Sequence, residues 1–158
     1  MSKIKILALI MMLSITLFGC QKKEESKDIL IEKIPAFESH DLNGEKIDSK
    51  VFENQEYTLL NVWATYCAAC LDELSDLQKI SKENKNIQIV GLIADGDVDE
   101  INAVKVTKDA KVDFKNIIPD LNLKKALIEK MNVAPISFIV NKKGEILEGP
   151  IIGSRSKE

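Results

Sequence analysis

The chain reads as an α/β protein, a mixed central sheet sandwiched by helices, and three observations predict it. Compact apolar runs alternate with segments whose apolar residues recur at helical spacing, an order that implies parallel crossover connections. Asn43-Gly44 near the front and Asn141-Lys142-Lys143-Gly144 near the end lie between strand-like runs, so a hairpin with antiparallel edges is expected at each end. Cys67 and Cys70 stand where a strand-like run gives way to a helix-like one.

The elements follow in order. Pro35-Ala36-Phe37 opens the stretch FESHDLNGEKIDSKVF, whose Asn-Gly predicts the first hairpin. YTLLNVW, residues 57–63, is apolar between polar flanks and predicts a buried strand. A helix is expected over residues 67–83 and a second buried strand, NIQIVGLIA, over 86–94. Residues 97–111 read as a helix, although Val104, Val106 and Thr107 lower its propensity. FKNIIPD predicts a short strand, and LNLKKALIEKMNV a helix with leucines at helical spacing. Residues 136–140 and 145–152 flank the last tight turn and form the second hairpin. There is no internal repeat and no low-complexity tract.

At 158 residues the chain is sized for one domain, and 45% apolar content supplies a core. The formal charge of −3 is mixed and contains no basic block, so no nucleic-acid partner is expected. The opening MSKIKILALIMMLSITLFGC reads as an export signal: Lys3 and Lys5 precede an apolar run from Ile6 to Phe18. That run is shorter than the roughly 20 residues a membrane-spanning helix needs, so a removed signal is expected over a permanent span. Its end, Leu17-Phe18-Gly19-Cys20, resembles a bacterial lipobox, which implies cleavage before Cys20 and a lipid on its sulfur. The alternatives are an uncleaved anchor or an ordinary signal peptide. Residues 1–19 are thus read as a signal peptide and 20–28 as a polar, flexible tether reaching on the order of 15–20 Å. Residues 29–158 are read as the folded domain.

With Cys20 lipid-bearing, Cys67 and Cys70 remain, in a compartment outside the cytoplasm where disulfides persist. A closed zinc site needs four ligands, and one cysteine pair with the single histidine, His40, does not supply them; no metal is expected. Stapling is also unattractive, because so short a loop removes little unfolded-chain entropy. Redox chemistry remains. At about 100° per residue, Cys70, Leu71, Leu74, Leu77 and Ile80 share one side of a helix beginning at Cys67. Cys70 then points toward the core and Cys67 occupies the exposed first turn. Free N–H groups and the positive end of the helix dipole stabilise an anion there, so Cys67 is the expected nucleophile. Cys70 would resolve the mixed disulfide.

The segment WATYCAAC resembles the WxxxCxxC active site of thioredoxin-like proteins, and the surroundings resemble the extracytoplasmic TlpA and ResA branch. The resemblance rests on PAFESHDLNGEKI, LLNVWATYCAAC, Ala134-Pro135 before a strand, and the closing IVNKKGEI, which together cover most of residues 34–153. It implies a thioredoxin-like three-layer sandwich with an N-terminal hairpin. It also implies a nucleophilic Cys67, a resolving Cys70, and a cis Pro135 facing the dithiol. Trp63 matches the aromatic beneath the site, and Trp63, Tyr66, Ala134 and Pro135 are assigned to the substrate groove. Asn61 stands where cytoplasmic thioredoxins keep a buried aspartate. Glu73 matches a glutamate of ResA-like proteins close to the dithiol, where a carboxylate raises thiol pKa values or shuttles a proton; a solvated helix-surface acid is the other reading. Asp72 and Asp76 turn further toward solvent, His40 reads as merely exposed, and Lys124-Lys125 as a solvated helix face. Ala68-Ala69 replaces the Gly-Pro of thioredoxins and the Glu-Pro of ResA-like proteins, which leaves the direction of electron flow open. The family usually closes with a helix, whereas this sequence ends at SRSKE, so that helix is expected to be short or missing.

The expected function is a lipid-anchored, extracytoplasmic thiol–disulfide oxidoreductase of a bacterial membrane. It would be monomeric, need no cofactor beyond the Cys67–Cys70 disulfide, and act on protein dithiols and disulfides. The resemblance implies a reductant, recharged by a membrane thiol-transfer protein, with cytochrome c maturation as one pathway. The rival readings are a disulfide-forming oxidase, a thiol peroxidase and a non-catalytic binding module.

Overall fold

The computed structural model describes residues 31–153. The readings of residues 1–28 and of the closing SRSKE fall outside them. A short antiparallel hairpin leads, β1 (Glu38–His40) and β2 (Lys46–Asp48), with Ser39 opposite Ile47. Asp41 shapes its turn: Oδ1 accepts the N–H groups of Asn43 and Glu45, and Gly44 takes a φ of +77°, a backbone that favours glycine. Asp41 is buried, and Lys115 donates to its Oδ2 at 2.8 Å. Burial pushes the Asp41 pKa up, but the Lys115 ammonium and the two backbone N–H groups outweigh it and hold the carboxyl below its usual range. Lys115, bonded to Asp41 and Glu45, is raised in turn.

A 3₁₀ turn over Ser49–Asn54, absent from the sequence reading, begins at Asp48, whose carboxylate accepts the Lys50 N–H, and buries Val51 and Phe52. The main sheet then follows: β3 (Tyr57–Trp63), β4 (Ile87–Ile93), β5 (Asn116–Ile117), β6 (Ile136–Asn141) and β7 (Ile146–Ile152), in the order β5-β4-β3-β6-β7. β3 is parallel to β4 and β4 to β5, whereas β6 is antiparallel to both β3 and β7. The helices are α1 (Ala68–Glu83), α2 (Glu100–Asp109) and α3 (Leu121–Ala126). This is the mixed, helix-flanked sheet with a separate hairpin that the sequence predicts.

Strand alternation divides the core into two layers. Leu60 and Val62 of β3, Val90 and Leu92 of β4, and Ile136, Phe138 and Val140 of β6 join Phe37, Phe52, Leu123 and Leu127 in one cluster. Trp63 and Ile93, on the opposite side of the same strands, join Cys70 and Leu74 of α1, Ala103 of α2 and Ile118 in the other.

Several elements depart from expectation. α1 buries Cys70, Leu74 and Leu77 as its spacing predicts, but the fourth buried side chain is Gln78, not Ile80, which is 38% exposed. Gln78 Nε2 donates to Asp113 Oδ1 at 2.6 Å and its Oε1 accepts from the Asp113 N–H, which pins the chain after α2 across that side of the helix. α2 starts later than predicted because Asp95, whose carbonyl accepts from Val98 and Asp99, and Asp99 itself direct their carboxylates to Thr65 instead of capping it. β5 shrinks to two residues. Ile118 already bonds His40 across the hairpin, and Pro119 has no N–H for a ladder. α3 is capped by Asp120 and gives way after Ala126 to a 3₁₀ turn, Ile128–Lys130. In β7 the Gly149–Pro150 peptide is cis, next to register shifts against β6.

Candidate active site

β3 ends at Trp63 and the chain turns through Ala64-Thr65-Tyr66 into α1. The turn is tied to the loop after β4: Asp95 accepts from the Thr65 N–H and from Thr65 Oγ1 at 2.5 Å, and Asp99 Oδ2 lies 3.1 Å from the same hydroxyl oxygen. The Cys67 N–H donates to Ala64 O at 3.1 Å, closing the turn. Cys67 is therefore delivered one residue before the helix, as its N-cap, with φ −92° and ψ 98°. Its Sγ accepts the Cys70 N–H at 3.2 Å, while its carbonyl accepts from Cys70 and Leu71. A sulfur here faces the unsatisfied donors and the positive end of the helix dipole.

Cys67 and Cys70 are joined in a disulfide, with Cα atoms 5.2 Å apart. Cys70 is 0% exposed, packed with Trp63 and Leu74, while Cys67 is half-buried at the edge of that cluster. One sulfur is thus approachable and the other sheltered. That asymmetry is what a nucleophile and a resolving thiol require.

The predicted groove residues separate on inspection. Tyr66 is 81% exposed beside Cys67. The Ala134–Pro135 peptide is cis, with Pro135 buried and Ala134 half-buried against the cluster that holds Cys70. Trp63 is fully buried, so it is a floor beneath the disulfide and does not line a groove. Its Nε1 donates to Asn116 Oδ1 at 2.9 Å, and Gly91 of β4 makes room for that bond, since a Cβ there would lie 2.0 Å from Asn116 Oδ1.

Glu73 lies one turn after Cys70 and is half-buried, not a fully solvated acid. Its Oε1 accepts from Asn61 Nδ2 at 2.8 Å, and the same amide donates to Ser137 Oγ at 3.1 Å. Asp76 bonds Lys79, Lys124 pairs with Asp97, and His40 lies 3.9 Å from Glu100, so these charges have partners other than the cysteines. Among the described residues no group of three or more His, Cys, Asp or Glu is placed to hold a metal ion.

Sequence reasoning missed Thr65, Asp95, Asn116 and Ser137. Only Ser137 had a usable signal, because strand alternation puts it opposite Asn61 in β6. The others depend on segments distant in sequence meeting across the fold.

Residues 30–148 match the model of the AhpC/TSA family. The chain belongs to that family. It is similar to the thiol:disulfide interchange protein DsbE of Haemophilus influenzae, 35% identical over 92% of this chain and 84% of that one. It is also similar to the thiol-disulfide oxidoreductase ResA of Bacillus cereus, 30% identical over 80% and 72%. Its fold resembles a thiol:disulfide interchange protein of Chlorobium tepidum, with a TM-score of 0.65 at 21% identity over 78% of this chain and 87% of that one. A thiol-disulfide oxidoreductase of Bacteroides fragilis superposes with a TM-score of 0.61 at 22% identity, covering 77% and 91%. The AhpC/TSA chain described here is a thiol-disulfide oxidoreductase of the DsbE and ResA type, with Cys67 and Cys70 as its cysteine pair.

Proposed function

We propose that this oxidoreductase is a lipid-anchored protein outside the cytoplasm of a bacterium and that it works as a reductant of protein disulfides. The observation that carries the chemistry is the position of Cys67 Sγ at the N-cap of α1, 3.2 Å from the Cys70 N–H, above a buried Cys70. The Cys67 thiolate attacks a partner disulfide, forming a mixed disulfide and releasing one partner thiolate. Cys70 then attacks the Cys67 sulfur, closing the Cys67–Cys70 bond and releasing the second. Two electrons pass to the partner, and a membrane thiol-transfer protein restores the dithiol. Glu73 acts as the base beside Cys70, while Tyr66 and the Ala134–cis-Pro135 segment receive the partner chain. Resemblance to TlpA and ResA makes cytochrome c maturation one pathway it would serve.

Two further features support this reading. Leu60 and Ala64, where peroxidases of this fold place proline and Thr or Ser, are buried apolar side chains, which favours disulfide exchange over peroxide reduction. Attachment is assigned to Cys20 because it closes the lipobox-like Leu17-Phe18-Gly19-Cys20 after the apolar run. The decisive experiment traps partners on Cys70→Ser: a protein held to Cys67 by a reducible bond is expected, and none recovered from the envelope would oppose the reading. Equilibration of the wild-type couple with glutathione or dithiothreitol then fixes direction. A potential near the oxidising end, about −120 mV, would indicate an oxidase instead. Cys20→Ala is expected to release the protein from the membrane fraction.

A further inference from the structure

The sheet beneath α1 carries a polar cluster that disulfide exchange alone does not require. Asn61 is 0% exposed, between Leu60 and Val62, which face the other core layer. Its register partner on β6 is Ser137. Nδ2 directs its hydrogens to Glu73 Oε1 at 2.8 Å and Ser137 Oγ at 3.1 Å, while Oδ1 has no donor among the described residues. An ionised carboxylate only accepts, so the amide is fixed with its nitrogen toward Glu73. Leucine would fill a similar volume and leave no orphaned buried acceptor, a defect that ordinarily destabilises a core. Core stability therefore does not account for an amide at position 61.

We infer that Asn61, with Ser137 on its other side, is a positioning residue that holds the Glu73 carboxylate ready to take the proton Cys70 releases when it attacks. This rests on the reading of Glu73 and the dithiol given above. In the step concerned, the Cys70 thiol passes its proton to a Glu73 oxygen and its sulfur bonds the Cys67 sulfur. The Cys67–partner bond breaks, its electron pair leaving on the partner thiolate, and Glu73 returns the proton to solvent. A donated N–H favours the carboxylate over the acid and fixes its orientation. Along α1 the titratable neighbours are Cys67 and Cys70 before Glu73, and Asp72 and Asp76 around it, the latter bonded to Lys79. From the strands beneath, alternation brings Leu59 and Asn61 of β3 and Ser137 and Ile139 of β6 to this side, none of which titrates, and beyond them stands the exposed Glu148 of β7, the register partner of Ile139.

The test mixes the reduced protein with an aromatic disulfide whose thiolate is coloured and follows both releases by stopped flow across pH. The first release reports attack by Cys67 and the second reports closure by Cys70. Asn61→Leu is expected to raise the acid-side midpoint of the second phase by about one pH unit and to leave the first phase unchanged. Ser137→Ala shifts it in the same direction by less, and supplies the reading if Asn61→Leu does not fold. Glu73→Gln removes the acid limb, and in that background Asn61→Leu changes the profile no further. An unmoved midpoint in Asn61→Leu and Ser137→Ala, or an equal shift with Glu73→Gln present, overturns the inference while the dithiol reading stands. Absence of the two-step release in the wild type would overturn the dithiol reading itself.

Discussion

Replacing Gly91 with alanine tests how the floor of the site is built. The added Cβ would lie 2.0 Å from Asn116 Oδ1, 2.9 Å from Asn116 Cγ and 3.0 Å from Trp63 Nε1. Asn116 must swing away, which breaks its 2.9 Å bond from Trp63 Nε1 and leaves a buried indole N–H without an acceptor. That loss costs about 1–3 kcal/mol, and the crowding a further ~1–3 kcal/mol. Gly91→Ala is therefore expected to lose about 2–6 kcal/mol, a large part of a typical domain's stability. Guanidinium unfolding can be followed by fluorescence of Trp63 itself, the chain's single tryptophan. Because the two shortest contacts are to Asn116, Asn116→Ala should relieve part of the damage, so the double variant falls short of additivity by roughly 1 kcal/mol or more. A Gly91→Ala protein within about 0.5 kcal/mol of wild type, or strictly additive variants, would refute this packing argument.

Two other perturbations read parts of the frame. Asp41 has a folded pKa below its unfolded value, so its contribution is present above the ordinary carboxylate pKa of about 3.9 and is lost as pH falls through the folded value. Urea midpoints should accordingly drop below about pH 4 in the wild type and vary less in Asp41→Asn. Lys115, raised, gives the mirror image: its contribution is complete below about pH 10.4 and fades as pH climbs through the folded value. Thr65→Val removes the hydroxyl shared by Asp95 and Asp99, and should cost about 1 kcal/mol and slow partner exchange, checked by thermal unfolding and by the rate of dithiol oxidation.

What could be read from the sequence was what short-range pattern determines. The run at residues 57–63 was legible to the residue because a buried strand needs only apolar side chains between polar flanks. The Asn-Gly turn announced its hairpin through Gly44's left-handed backbone. Cys67 and Cys70 disclosed themselves by spacing, since one helical turn separates cap from core. The limits came where distant groups decide. Gln78 displaced Ile80 from the buried side because Asp113, 35 residues on, bonds it. Asp99 fell inside the helix expected over residues 97–111 and Asp95 between elements, yet they serve Thr65, 34 and 30 residues earlier. Resemblance assigned Trp63 both to the floor of the site and to its groove; full burial and the Asn116 bond put it beneath the disulfide.

The most direct measurement is alkylation of each cysteine in the reduced protein as a function of pH, with the modified residue identified by mass spectrometry. Cys67 is expected to react first, with a midpoint well below the free-cysteine value of about 8.5, while Cys70 stays protected until the protein unfolds. Equal, slow labelling of both thiols at the free-cysteine midpoint would contradict an acidified, accessible sulfur at the head of α1.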